Sequence, residues 1–231
     1  MRKNTLPAVI LSFCCVCYSA EAQGFINLNF ESGNFSAYGA GPAGVPTTNA
    51  LPGWTAYISG APQSFVLYNG VTLAAPAIIV EGTNSPYPYP PIQGKYFVAL
   101  WGEYNPSQNG TATNSAAIGQ TGQIPLSTQS LTFLGNISDM QITFNGQPLN
   151  FLVTGSTANY NIYTADISAY AGQTGLLLFT APYFGDGYIG GTPMIDNIQF
   201  STTAVPEPGT LAVAALGTLL LGSRRWKRIS H

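Results

Sequence analysis

Histidine, cysteine and positive charge are almost missing from this 231-residue chain. The one histidine is His231, so the segment from 23 to 204 has no imidazole base, no Ser–His–Asp triad and no histidine metal site. All three cysteines, Cys14, Cys15 and Cys17, lie in one apolar N-terminal run, and downstream of it neither a disulfide nor a thiolate site can form. Only Lys95 among the seven basic residues falls between 23 and 204, against Glu31, Glu81, Glu103, Asp139, Asp166, Asp186 and Asp196. One base against seven acids gives this stretch a net charge of −6, which cannot neutralise phosphates, so nucleic acid is not expected as a partner. No G-x-S-x-G elbow and no glycine-rich phosphate loop ahead of a helix occurs.

The remaining bases sit at the ends. Arg2 and Lys3 precede the apolar run from Leu6 to Tyr18, and Ala20-Glu21-Ala22 has the small-x-small form of a cleavage site. Residues 1–22 therefore read as a secretory signal peptide cut after Ala22, with the apolar run too short for a relaxed membrane span.

Residues 23–200 read as one all-β domain, a β-sandwich of jelly-roll type. Gly, Asn, Ser, Thr and Pro break the chain every ten or so residues, and β-branched and aromatic runs lie between the breaks. Expected strands are Phe25–Phe30, Trp54–Ile58, Ser64–Tyr68, Ala77–Val80, Lys95–Trp101, Leu131–Leu134, Met140–Phe144, Leu149–Val153, Tyr160–Asp166, Thr174–Thr180 and Met194–Phe200. Tyr96–Trp101 and Leu176–Phe179 are apolar on both faces and suit central strands. Asn145-Gly146 suits a type I′ hairpin turn, and Pro148, lacking an N–H, places the following strand late or at an edge. Residues 201–204 form a short polar linker.

Four pieces of this domain resemble the secreted galactose-binding-like jelly rolls: Asn27-Leu28-Asn29-Phe30-Glu31, Leu51-Pro52-Gly53-Trp54, Gly94 through Leu100, and Pro193-Met194-Ile195-Asp196-Asn197-Ile198. The resemblance implies the fold, and fold alone fixes no function. It also implies that carboxylates near the terminal strands can hold a structural calcium. Strand alternation puts Asp196 on one face with Met194, Ile198 and Phe200. An inward carboxylate there needs either hydrogen-bond donors or a cation such as calcium.

Two further chemistries are open to the domain. A glycoside hydrolase needs only two facing carboxylates, and Glu31, Glu81 and Glu103 are available, although nothing in the sequence pairs them. A lectin-like module binding extracellular polysaccharide needs exposed rings. Tyr87 and Tyr89 in the proline-rich run Ser85–Pro91, with Tyr104, are the candidate sugar contacts, whereas Trp54 and Trp101 suit the core. No catalytic residue is assigned, and the domain is not expected to be an enzyme.

The tail, residues 205–231, has three parts in order. Val205-Pro206-Glu207-Pro208-Gly209 comes first; an apolar stretch follows, and Arg224, Arg225, Lys227 and Arg228 come next. As a helix, residues 209–223 would span about 22 Å, short of a ~30 Å hydrocarbon core, so the membrane would have to thin around it. The basic flank marks the cytoplasmic side. Pro206 and Pro208 keep Glu207 extended, where a processing enzyme could grip it. The three parts closely resemble the PEP-CTERM sorting signal of exported bacterial proteins, which implies a membrane-embedded exosortase as partner. The expectation is a protein anchored through its tail, then processed to the cell surface or extracellular matrix.

Overall fold

The computed structural model describes residues 24–70, 76–86, 92–102, 114–137, 140–182 and 192–205. They form an all-β sandwich. The strands are β1 (Ala43–Pro46), β2 (Thr55–Ile58), β3 (Ala61–Gln63), β4 (Phe65–Tyr68), β5 (Ala77–Gly82), β6 (Tyr96–Trp101) and β7 (Ala116–Gln123). Then follow β8 (Ser130–Asn136), β9 (Gln141–Phe144), β10 (Gln147–Pro148), β11 (Leu152–Ser156), β12 (Asn161–Asp166), β13 (Thr174–Ala181) and β14 (Met194–Ser201). One sheet has the order β1-β4-β5-β6-β14-β8-β12-β11, the other β10-β9-β13-β7-β2-β3. Between named strands only β4–β5 is a parallel pair among those described. The helical elements described are one turn, α1 (Thr47–Ala50), and a 3-10 turn, Ser168–Tyr170.

The two sheets close on an aromatic core. Phe133 stacks on Tyr163 at 5.2 Å and meets Phe179 edge-on at 5.7 Å; Phe179 in turn lies 6.2 Å from Trp54. These rings come from both sheets, so their contact joins the layers, and offset or edge-on aromatic pairs add to the burial energy. Trp54 is a core residue, as its size suggests.

Patterning explains most of the strands. β6 is buried along its middle and lies between β5 and β14, as a run apolar on both faces requires. β13 is central too, but it alternates buried and half-buried positions. Its outer Leu176 and Leu178 lie over Gly119 of β7, where a Cβ would stand 2.9–3.0 Å from their Cδ1 atoms. Asn145 and Gly146 take φ of 50° and 76° and turn β9 into β10, and Pro148 lies in that edge strand. Expected strand Ala77–Val80 extends to Gly82, and Leu131–Leu134 to Ser130–Asn136.

Three expectations need correction. Residues 25–30 are not a strand: Asn27 and Phe30 have φ of 49° and 55°, and the Phe30 N–H closes a turn onto the Asn27 carbonyl at 3.3 Å. The strand expected over 149–153 is β11, three residues later. The Leu149 N–H still bonds the Ile142 carbonyl of the six-stranded sheet (2.9 Å), so the chain crosses between layers before pairing with β12. The alternation of Met194, Asp196, Ile198 and Phe200 also breaks. A register shift separates Asp196 from Gln199, and Asn197 sits at φ 48°. Met194 therefore packs in a small outer cluster with Ile79 and Ala99, while Ile195 and Ile198 enter the main core. β7 was missed, because Ala-Ala-Ile-Gly-Gln-Thr-Gly-Gln is small and polar and has little β-branched character. β1 and β3 were missed as well.

Candidate functional site

The pieces Asn27–Glu31, Pro52–Trp54, Gly94–Tyr96 and Asp196–Ile198 meet at one node. The Trp54 indole N–H donates to the Asn27 carbonyl at 3.0 Å, and the Asn27 amide donates to the Pro52 carbonyl at 3.2 Å. The other Asn27 side-chain atom, Oδ1, accepts from the Ser32 N–H at 3.0 Å. Asn27 thus fixes the turn that a strand would otherwise occupy, since an asparagine tolerates positive φ and bonds locally. The Ile198 N–H reaches the Leu28 carbonyl at 2.9 Å and ties β14 to the same turn.

Two carboxylates complete the node. Glu31 Oε1 accepts the N–H groups of Lys95 (2.6 Å) and Tyr96 (3.0 Å). Asp196, fully buried, accepts the Gln93 N–H on Oδ2 at 2.9 Å and its neighbour Asn197's N–H on Oδ1 at 2.7 Å. Gly94 between these donors has φ 63°, and a Cβ there would run into the Glu31 carboxylate. Burial pushes the Asp196 carboxyl up to about 7; the Asn197 and Gln93 N–H groups pull against that shift, and the charge of Glu31 adds to it. The inward Asp196 is thus met by hydrogen-bond donors. A calcium ion takes six to eight oxygen ligands. Each Asp196 oxygen accepts one N–H, and among the described residues no group of three or more His, Cys, Asp or Glu converges.

The other acids within the described residues are Glu81 and Asp166. Glu81 on β5 is 1% exposed, and neither carboxylate oxygen meets a donor in hydrogen-bond geometry among the described residues. Its burial raises the pKa, partly offset by the Ser85 side chain. Glu103 lies outside the described residues, as do Tyr87, Tyr89 and Tyr104. Lys95 is exposed at the start of β6. A cleft of about 310 Å³ opens at the β4 side of the sandwich, lined by Ile58, Gln63, Phe65, Leu67, Ala77 and Ile78 among others. Its described lining holds no charged side chain, and Phe65 is 62% exposed beside it.

Sequence reasoning missed Gln120 and Asn69. Gln120 on β7 takes both backbone groups of Ile26: its Oε1 accepts from the N–H at 2.6 Å and its amide donates to the carbonyl at 3.0 Å. Asn69, buried, accepts from the Gly82 N–H at 2.8 Å and donates to the Ala40 carbonyl at 2.9 Å. Neither sits in a recognisable motif, since each matters only through a partner far along the chain.

The domain hands over directly to the tail. β14 runs through Ser201, which pairs with Ser130 of β8, and the Ser130 hydroxyl donates to the Thr203 carbonyl at 2.7 Å. The segment expected as a linker from 201 is therefore held to the sheet at its start. β14 is hydrogen-bonded on both sides, by β6 and β8. The signal-cleavage residues Ala20 and Ala22, the motif residues Pro206, Glu207, Pro208 and Gly209, and the basic flank Arg224, Arg225, Lys227 and Arg228 lie outside the described residues; Val205 is the last one within them. No helix among the described residues is long and apolar enough to cross a membrane. No curated protein and no solved structure matches the chain. A family model does match its C-terminal end: residues 204–228 carry the PEP-CTERM protein-sorting motif, which supports export and sorting through an exosortase.

Proposed function

We propose that this chain is an exported bacterial surface or extracellular-matrix protein. Its β-sandwich is displayed in a structural or adhesive role, and its tail is a disposable sorting device rather than part of the domain. The observation that carries this reading is the sorting motif at residues 204–228. The tail begins next to the last residue tied to the sheet, so the sandwich stays close to the membrane until processing, and the load of the anchor falls on the end of β14 that β8 holds through Gln199, Phe200 and Ser201. The carboxylate node supports a non-catalytic domain. Glu31 and Asp196 both hold backbone N–H groups, which orders a loop rather than presenting a reactive pair to a substrate. The same node supports the galactose-binding-like assignment, because all four resembling pieces contribute to it.

Deleting residues 205–231 in the native host tests the anchoring role. The truncated protein should be recovered in soluble form. A truncated protein that stayed with the membrane would show that the tail is not the anchor.

Polysaccharide binding is the second reading, favoured by the exposed Phe65 ring beside an uncharged cleft. A flat ring can stack on the C–H face of a sugar. Affinity electrophoresis against neutral and acidic polymers would show retention that Phe65→Ala lowers. No retention on any polymer would remove this reading and leave the sorting role intact.

A further inference from the structure

The described strands leave four sheet edges: β1, β11, β3 and β10. Three of them contain a proline, Pro46 in β1, Pro62 in β3 and Pro148 in β10. Proline lacks an N–H and cannot complete a ladder, so it is a common guard against pairing with another chain. The fourth edge, β11, reads Leu-Val-Thr-Gly-Ser and has neither proline nor charge. Leu152 and Val153 are 47% and 58% exposed, and β12 is the strand's one partner among the described residues. A register shift falls between Val153 and Gly155, so the two exposed apolar residues lie ahead of the irregularity.

The surroundings are neutral as well. No charged residue occurs from Met140 to Ala165, and Asp166 is the single one between Met140 and Pro182. On a domain carrying a net −6, Asp166, at the end of β12 just beyond the Thr164–Leu152 pair, is the one charge that this stretch brings to the edge, so two copies repel one another little there.

We propose that β11 is a self-association edge: two copies pair β11 to β11, antiparallel about a twofold axis, and join their eight-stranded sheets into one. The partner is a second copy because antiparallel pairing of one strand with itself is self-complementary, each residue meeting the same surface it presents. A five-residue edge is a small contact, so the dimer is weak and depends on concentration. This inference does not rest on the sorting motif.

Sedimentation velocity of the full chain in detergent, at rising protein concentration, tests it. The unmodified chain should show a monomer–dimer equilibrium. Val153→Lys and Val153→Asp should each weaken it severalfold, by placing like charges close to the axis. A one-to-one mixture of the two variants should recover association, because opposite charges then face each other. Unchanged melting curves would show that both variants keep the fold, which the exposure of Val153 predicts. A chain that stays monomeric throughout, a dimer that survives in both variants, or a mixture no better associated than either variant alone would overturn the proposal.

Discussion

Glu31 and Asp196 hold the same loop from two sides. Glu31 accepts the N–H groups of Lys95 and Tyr96, and Asp196 accepts that of Gln93, so two acids distant in sequence fix the entry to β6. Their proximity is electrostatically unfavourable. The Glu31 charge helps burial raise the Asp196 carboxyl to about 7, from an ordinary 3.8.

That shift predicts a pH dependence of stability. The folded Asp196 keeps its proton to about pH 7, whereas the unfolded chain releases it near 3.8. The unfolded state then binds fewer protons between these values, so stability is fully present below about pH 4 and is lost as pH rises through about 7. Glu81 contributes in the same direction, since burial raises it too. Asp196→Asn should flatten the fall in melting temperature across this window, by an amount on the order of a few kcal/mol in stability. Identical pH profiles for the two proteins would contradict the assignment.

Each Asp196 oxygen is met by a backbone N–H donor. Adding calcium or a chelator should leave the melting temperature where it is. A cation bound only by the native state would stabilise it by mass action, so a clear loss in chelator would bring calcium back.

Gly94 is the loop's sensitive point. At φ 63° and against Glu31, an alanine meets both backbone strain and a clash. Gly94→Ala should cost about 1 kcal/mol or more. A denaturant titration showing no loss would mean that the loop is not pinned as described.

Gln120 ties the N-terminal turn to β7 through both of its amide atoms. Gln120→Leu would leave the Ile26 N–H and carbonyl without these partners, and because Ile26 is partly open to water the loss should be about 1 kcal/mol, that of ordinary hydrogen bonds. Hydrogen exchange should speed up at Ile26. If its protection were unchanged, the clamp would be unimportant.

Much of this was legible in the sequence, for identifiable reasons. Strands with β-branched and aromatic patterning, such as β6 and β13, declare themselves locally, and so does a turn needing positive φ at Asn145 and Gly146. What stayed hidden depends on distant partners. β7 is a strand because β13 and β2 flank it, despite its small, polar residues. Residues 25–30 look like a strand and are a turn, because Asn27 bonds Pro52, Trp54 and Ser32. At Asp196 burial was legible, but the break in alternation that separates it from Ile198 was not.

The central claim is that the sorting motif at residues 204–228 delivers the domain and is then removed. Mass spectrometry of the mature protein from the surface fraction of its native host tests this most directly. The account predicts peptides covering the sandwich, with the C-terminal end at the Pro206-Glu207-Pro208 segment and nothing beyond it. Recovery of intact peptides spanning Leu211 to Arg224 from that fraction would contradict it.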